Sequence, residues 1–194
     1  MATATASGDG AANAVAHITG TTATKMLWPE DSIPSTFTVC SVTRYTGGPR
    51  ERILNCNHSP TQTLNWLHGH YPGGVRGFAY YDKAVGSSSG GVQDNWLVMC
   101  GTNAGATFPG NIILDQDEIG TADGGTGGCR LNIGYNGESD WALHSVLIWD
   151  YSLGTVPVPL HATPYLSIQV TVCVHVILSM VRFSGVCICF LRAG

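Results

Sequence analysis

Short alternating segments separated by glycine-rich breaks are the feature of this chain that most limits its fold. Segments with β-branched and aromatic residues lie at 35–45, 52–55, 65–70, 76–82, 95–100, 111–114, 130–134 and 140–150. The breaks between them include 86–91, 101–110 and 121–128, which combine glycine with serine, threonine or proline. No long helical period appears before residue 155. Many short strands with turn signals between them predict an all-β fold, a sandwich of two antiparallel sheets.

The charge of the chain limits its partners. Charged residues make up 11% of the 194 residues, whereas about a quarter is usual for a soluble domain. The formal net charge is -4, and the only lysines are Lys25 and Lys83. Because binding to a phosphate backbone needs clustered Lys and Arg side chains, the sequence argues against a nucleic-acid partner.

The chain divides into three regions. Residues 1–24 are rich in Ala, Thr and Gly without periodicity and are expected to be flexible. They also lack the basic start and apolar block of a secretory signal. Residues 25–154 hold the predicted sandwich.

Residues 155–194 form a hydrophobic tail with three competing explanations. The first is a membrane anchor within 165–191, although a span needs about 20 apolar residues and Gln169 and His175 interrupt this one. The second is additional strands of the sandwich. The third is sequence that is not native to the domain, such as translation through an unspliced gene segment, since acidic residues stop at Asp150.

The seven cysteines give no metal-binding spacing. No CxxC pair is present, so a zinc ribbon is not indicated. Two of them lie within apolar strand-like segments, which favours buried free cysteines that behave as small hydrophobic residues. A disulfide framework is the alternative, and the odd number would leave one thiol over. The cysteines are Cys40, Cys56, Cys100, Cys129, Cys173, Cys187 and Cys189.

The order of the strand-like segments resembles a known group of modules. An early segment carries Phe37 with alternating apolar residues, and a middle one carries Trp96 followed by Leu-Val. A short Leu-x-Ile-Gly segment at 131–134 precedes a closing aromatic segment at 139–150. This order, over residues 25–154, resembles laminin-G-like and concanavalin-A-like jelly-roll modules.

The resemblance implies a concanavalin-A-like jelly roll with a recognition function. The chain lacks the Glu-x-Asp-x-x-Glu run of the related glucanases, so the resemblance implies a binding module and not an enzyme. It also favours an extracellular or cell-surface location, and such modules often hold one calcium ion at a rim of the sandwich.

One aromatic and histidine-rich segment is the candidate ligand site. Two imidazoles lie two residues apart on a predicted strand, beside aromatic rings that combine an apolar body with a polar tip. We expect Trp66 or Tyr71 to stack on the face of a sugar while the other side chains bind its hydroxyls. Zinc or copper bound by the two histidines with His58 or a carboxylate is one alternative, and a structural histidine pair is another. The predicted ligand-binding residues are Asn65, Trp66, His68, His70 and Tyr71.

An acidic segment is the candidate calcium site. Calcium takes carboxylate and carbonyl oxygens from a flexible loop, and glycines at 120, 124 and 125 would let carbonyl groups turn inward. The spacing differs from that of an EF-hand, and a solvated turn between two edge strands is the alternative. The predicted ligands are Asp115, Asp117, Glu118 and Asp123.

Signals for catalysis are weak. A nucleophile, base and acid could be assembled from Cys100, His144 and Asp140, but a chain with seven histidines allows many such sets. Glu138 and Asp140 could flank a glycosidic bond. We therefore predict non-catalytic recognition of a carbohydrate or glycosylated surface, with calcium as a cofactor. A protein–protein or structural module of a larger assembly is the alternative, and a glycoside hydrolase ranks last.

Overall fold

The computed structural model of the chain describes residues 2–59, 62–82, 84–87, 94–103, 112–114, 117–120 and 125–152. These residues form thirteen strands and no helix. The strands are β1 (Ala2–Gly8), β2 (Ala11–Gly20), β3 (Met26–Leu27), β4 (Thr38–Gly47), β5 (Leu54–Ser59), β6 (Gln62–Tyr71), β7 (Val75–Tyr81), β8 (Ala84–Ser87), β9 (Leu97–Thr102), β10 (Ile112–Leu114), β11 (Asp117–Gly120), β12 (Arg130–Ile133) and β13 (Asp140–Trp149).

The strands form two antiparallel sheets. The seven-stranded sheet has the order β1-β2-β13-β4-β9-β10-β11, and the six-stranded sheet has the order β3-β12-β5-β6-β7-β8. Each of the eight segments expected to be extended overlaps one of these strands. The prediction of an all-β sandwich is therefore confirmed, and the architecture is compatible with a jelly roll.

Alternation along the strands builds the core between the sheets. In β4 every second residue from Val39 to Tyr45 is buried, while the residues between them are only half-buried. The largest fully buried side chains include Trp66, Trp141 and Phe37. Aromatic rings meet across the interior, as the 5.1 Å between the centroids of Phe37 and Tyr81 shows. This packing follows the period-two alternation expected for a sandwich.

The N-terminal segment differs from expectation, because residues 2–20 form the β1–β2 hairpin instead of a flexible region. The turn carries Gly8, Asp9 and Gly10, all with positive φ, a conformation that glycine and aspartate tolerate well. Residues 18–20 then pair with β13, and Ile18 is buried there. Backbone pairing with a buried strand thus orders a sequence whose composition alone suggested flexibility.

The expectation of free cysteines is also corrected. Disulfides join Cys40 to Cys100 and Cys56 to Cys129. Cys40 and Cys100 are direct partners in the β4–β9 register, so the sheet itself brings the two sulfur atoms together. Cys56 and Cys129 are almost completely buried. The separations along the chain, 60 and 73 residues, hide both pairs from local sequence reasoning.

The hydrophobic tail lies outside the described residues, which end at Ser152 apart from the gaps given above. Its three explanations therefore stay open. In the part of the chain that the structure describes, no helix has the length and apolar character of a membrane span.

Candidate functional site

Strand β6 divides the five predicted ligand-binding residues between its two faces. Trp66, His68 and His70 have no exposed surface and lie between the sheets. Asn65 is exposed, and Tyr71 is 40% exposed. A ligand at the surface therefore cannot stack on Trp66 or reach either histidine in this conformation. Ligand contacts by Asn65 and Tyr71 stay a prediction.

The two buried histidines take part in hydrogen bonds of the core. His68 Nδ1 lies 2.6 Å from the Tyr81 hydroxyl, and Nε2 lies 3.2 Å from the carbonyl oxygen of Met99. His70 Nδ1 lies 3.4 Å from Oγ1 of Thr43. Burial lowers the pKa of His68 to about 4 and that of His70 to about 3, because an apolar interior disfavours the charged imidazolium. Both side chains are therefore neutral at physiological pH.

The structure gives no support to zinc or copper at these histidines. Among the described residues no group of three or more His, Cys, Asp or Glu side chains is arranged to hold a metal ion. The predicted calcium ligands Asp115 and Asp123 lie outside the described residues, and Asp117 and Glu118 lie in β11. Calcium binding at this segment stays a prediction.

Two of the groups considered for catalysis have structural roles. Cys100 is bonded to Cys40 and is not a free thiol nucleophile. Asp140 Oδ1 accepts a hydrogen bond of 3.0 Å from the backbone amide of Thr22, so this carboxylate fixes the segment that follows β2.

The described residues enclose a groove on the outer face of the seven-stranded sheet, which we call the hairpin groove. It has a volume of about 570 Å³, within the range of about 300–1,000 Å³ typical of small-molecule sites. One wall comes from the β1–β2 hairpin and is lined by Gly10, Ala11, Ala14, Val15 and Ala16. The seven-stranded sheet forms the floor with Val42, Val98 and His144. One end is closed by Asn95 and Trp96, from the segment before β9, and by Arg76 of β7.

The groove exists because β2 leaves the sheet after a short pairing. Only Ile18, Thr19 and Gly20 pair with β13, so the rest of the hairpin stands over the sheet face. In β13 the register shifts between Leu143 and Ser145, and such a bulge re-aims the residue within it. His144 Nδ1 there donates a hydrogen bond of 2.6 Å to the carbonyl oxygen of Ala16. This side-chain contact takes the place of ladder pairing where the strands diverge.

The tip of the hairpin is fixed to the far side of the groove. Asp9 Oδ2 pairs with Nη2 of Arg44 at 2.9 Å. The Asp9 carbonyl oxygen accepts a hydrogen bond of 2.8 Å from the amide of Trp96. The Trp96 ring is 9% exposed, with the Arg44 guanidinium 5.4 Å from its centroid and the His17 ring 5.3 Å away. Trp96 thus anchors the hairpin and offers a ligand only a small part of its ring.

The described lining combines apolar and polar surface in nearly equal parts. Val42 and Val98 form the floor, and Val98 is 43% exposed. The side-chain hydrogen-bonding groups of the described lining belong to Asn95, Trp96, Arg76 and His144, and this lining includes no carboxylate. Apolar surface with a few convergent polar groups is the usual form of a binding site. Sequence reasoning missed this groove, although the Gly-Asp-Gly turn at residues 8–10 was a signal for the hairpin.

A second polar surface lies on the outer face of the six-stranded sheet. Asn65 Oδ1 accepts a hydrogen bond of 2.7 Å from Nη2 of Arg52, and the ring of Tyr71 packs 4.8 Å from that of Phe78. Burial lowers the pKa of Arg52, while nearby Tyr71 and Glu51 oppose that shift. Asn65 and Tyr71, the two exposed residues of the predicted ligand set, therefore both lie near Arg52.

Comparison of the chain with protein-family models, with curated proteins and with solved structures finds no match. The fold itself defines the class of protein, which is an all-β antiparallel sandwich with an open groove on one sheet.

Proposed function

We propose that this chain is a non-catalytic recognition module of the laminin-G-like or concanavalin-A-like kind that binds a carbohydrate or a glycosylated surface. The observation that carries the proposal is the hairpin groove, which places the apolar side chains of Val42 and Val98 beside the polar side chains of Asn95 and His144. A sugar ring presents the same combination, with apolar C–H groups on its face and hydroxyls at its edge.

The proposed contacts follow from the lining of the groove. Val42 and Val98 would pack against the apolar face of a sugar ring. Asn95 both donates and accepts, so it suits a hydroxyl. Because Nδ1 of His144 donates to the Ala16 carbonyl oxygen, Nε2 of the neutral imidazole is an acceptor for a second hydroxyl. Arg76 donates from Nη2 to the carbonyl oxygen of Trp96 at 3.0 Å and closes one end of the groove.

A glycan array followed by isothermal titration calorimetry on the full chain tests the proposal. Val98→Trp fills the groove from its floor, whereas Val98→Thr keeps the volume and serves as the matched control. We expect the wild type and Val98→Thr to bind at least one glycan, and Val98→Trp to bind it about tenfold or more weakly. Equal binding by all three proteins, or no binding to any glycan, would contradict the proposal.

Calcium at the acidic segment is the second part of the proposal. A ligand that binds only the folded state raises the unfolding midpoint. We therefore expect calcium to raise the midpoint of the full chain and to leave unchanged that of a variant with Asp115→Asn and Asp117→Asn. An identical response of the two proteins would remove calcium from the proposed function without affecting the groove.

A protein–protein module is the alternative that one observation favours. Tyr71 is 40% exposed and packs against the half-buried Phe78, and exposed aromatic residues are enriched at interfaces. In that case Tyr71→Ala would abolish binding to a protein partner, and Val98→Trp would not.

A further inference from the structure

The β1–β2 hairpin is a two-stranded extension of the seven-stranded sheet over most of its length. β1 pairs with β2 from Ala2 to Gly8, whereas β2 pairs with β13 only at residues 18–20. Among the described strands, β1 has extensive contacts with β2 alone. Because a two-stranded hairpin is only marginally stable in water and a third strand adds stability, a further strand along this hairpin would be favourable.

The outer edge of β1 is the side on which a further strand can pair. β1 is the terminal strand of its sheet, so one side of its backbone has no neighbouring strand in the described part of the chain. The inner edge of β2 is less open, because it borders the hairpin groove and His144 already bonds to the Ala16 carbonyl oxygen there. Residues 12–14 of β2 are exposed, so the hairpin projects from the body of the sandwich.

The other three terminal strands have features that oppose pairing between molecules. β3 consists of only two residues, Met26–Leu27. β8 and β11 lie close together across the two sheets, and β11 contains Asp117 and Glu118. Short strands, covered edges and charged residues are the usual protection of a sheet edge. β1 has seven residues, none of them charged and none proline, and within the described residues it has none of these protections.

We propose that β1 pairs antiparallel with β1 of a second copy of this chain, which joins the two seven-stranded sheets edge to edge. A two-fold axis brings the same edge of both copies together, and a strand without charged residues has no like charges to oppose each other in such a pair. Asp9 at the hairpin tip is the nearest acidic residue in the sequence and forms an ion pair with Arg44. The edge therefore suits its own copy, although each chain has a formal net charge of -4.

Such a dimer would present two hairpin grooves on one side. The two-fold axis of an antiparallel edge pair runs perpendicular to the sheet, so the outer faces of both sheets lie on the same side. This consequence rests on the proposed function, since a glycosylated surface bound through both grooves would be held with avidity. Pairing of two strands buries less area than the roughly 1,200 Å² of a stable interface, so we expect a weak dimer whose population rises with concentration.

Analytical ultracentrifugation of the full chain over a dilution series tests the pairing without any ligand. Thr5→Lys places a positive charge at the centre of β1, where two copies would bring like charges together. Thr46→Lys makes the same change at an exposed position of β4, an interior strand of the sheet, and is the matched control. Hydrogen exchange of the β1 amides is a second readout, since pairing protects the backbone groups of the outer edge.

We expect the wild type and Thr46→Lys to dimerise with the same dissociation constant, and Thr5→Lys to dimerise about tenfold or more weakly. In the wild type, alternate amides of β1 should gain protection as the concentration rises. A wild type that stays monomeric at every concentration would overturn the proposal, and so would equal dimerisation of the three proteins. If Thr5→Lys unfolds the hairpin, the concentration dependence of β1 protection in the wild type decides the question. Because no saccharide is present, none of these outcomes depends on what the groove binds.

Discussion

The Tyr81 hydroxyl donates a hydrogen bond of 2.6 Å to Nδ1 of His68 in the interior of the sandwich. The direction of this hydrogen bond follows from the partner of the other ring nitrogen of His68, Nε2. Nε2 lies 3.2 Å from the carbonyl oxygen of Met99, which can only accept, so Nε2 carries the proton of the neutral imidazole. Both side chains are fully buried, and burial raises the pKa of Tyr81. A second proton on His68 would remove the acceptor that Tyr81 uses.

Acid is therefore expected to destabilise the fold through its buried histidines. An unfolded histidine takes up a proton near pH 6.5, whereas the folded pKa is about 4 for His68 and about 3 for His70. Between these values the unfolded state binds more protons, so the free energy of unfolding falls as the pH falls. Each histidine would contribute a loss of about 2 kcal/mol by about pH 5. Urea denaturation at a series of pH values measures this loss.

Two variants test whether the pH dependence of the unfolding free energy comes from the buried histidines. His68→Gln removes one of the two buried groups and should reduce the slope of stability against pH between about pH 5 and 6.5. His58→Gln, at an exposed position, is the matched control. Identical unfolding free energies of the wild type at about pH 7.5 and pH 5 would contradict this account.

Reduction of the disulfides is expected to lower stability. A cross-link that closes a loop of 60 or 73 residues stabilises a fold by roughly 4 kcal/mol in the chain-entropy account. Urea denaturation of the double variant Cys56→Ala and Cys129→Ala should therefore show a clearly lower midpoint than the wild type. The matched double variant Cys40→Ala and Cys100→Ala measures how much the disulfide between β4 and β9 contributes to stability. A midpoint that neither double variant nor added reductant changes would contradict both disulfides.

Docking of the N-terminal hairpin depends on a glycine beside a buried ring. A Cβ atom at Gly20 would lie 2.5 Å from Cζ2 of Trp141 and 2.9 Å from Cβ of Thr24, and Trp141 is fully buried. We expect Gly20→Ala to lower the free energy of unfolding by about 1–3 kcal/mol through overpacking. Ala12→Ser, at an exposed position of the same strand, should change it little. Equal stability of the two variants would show that β2 does not pack against Trp141.

The ion pair between Asp9 and Arg44 is expected to control opening of the hairpin groove more than stability. The Asp9 side chain is 44% exposed, and exposed pairs contribute about 0–1 kcal/mol. Asp9→Asn removes the charge and keeps a residue that tolerates the positive φ of this turn. It should therefore leave the unfolding midpoint nearly unchanged while hydrogen exchange at the Trp96 amide becomes faster. High salt should accelerate exchange in the wild type in the same way, since it screens exposed charges. Asp150→Asn is the matched control at another exposed carboxylate, and exchange as fast in that variant would contradict the assignment.

The candidate sites show where sequence reasoning stops. Alternation in β6 placed Trp66, His68 and His70 on one face and Asn65 on the other, but it did not say which face meets the second sheet. The aromatic and histidine content suggested a contact surface, whereas the same side chains fill the core because their large apolar area is most stable when removed from water. The lining of the hairpin groove is brought together only by elements far apart in the sequence, such as the hairpin at Gly10 and β13 at His144.

By itself the sequence indicated eight of the thirteen described strands and the all-β class, because these depend on the period of neighbouring residues and on local turn chemistry. Only the tertiary structure decided the disulfides, the ordered hairpin and the hairpin groove. Each of these joins residues that are distant along the chain, such as Ala16 and His144, which are 128 positions apart. Their contact depends on how the sheets pair and pack, and no local pattern in the sequence records that pairing.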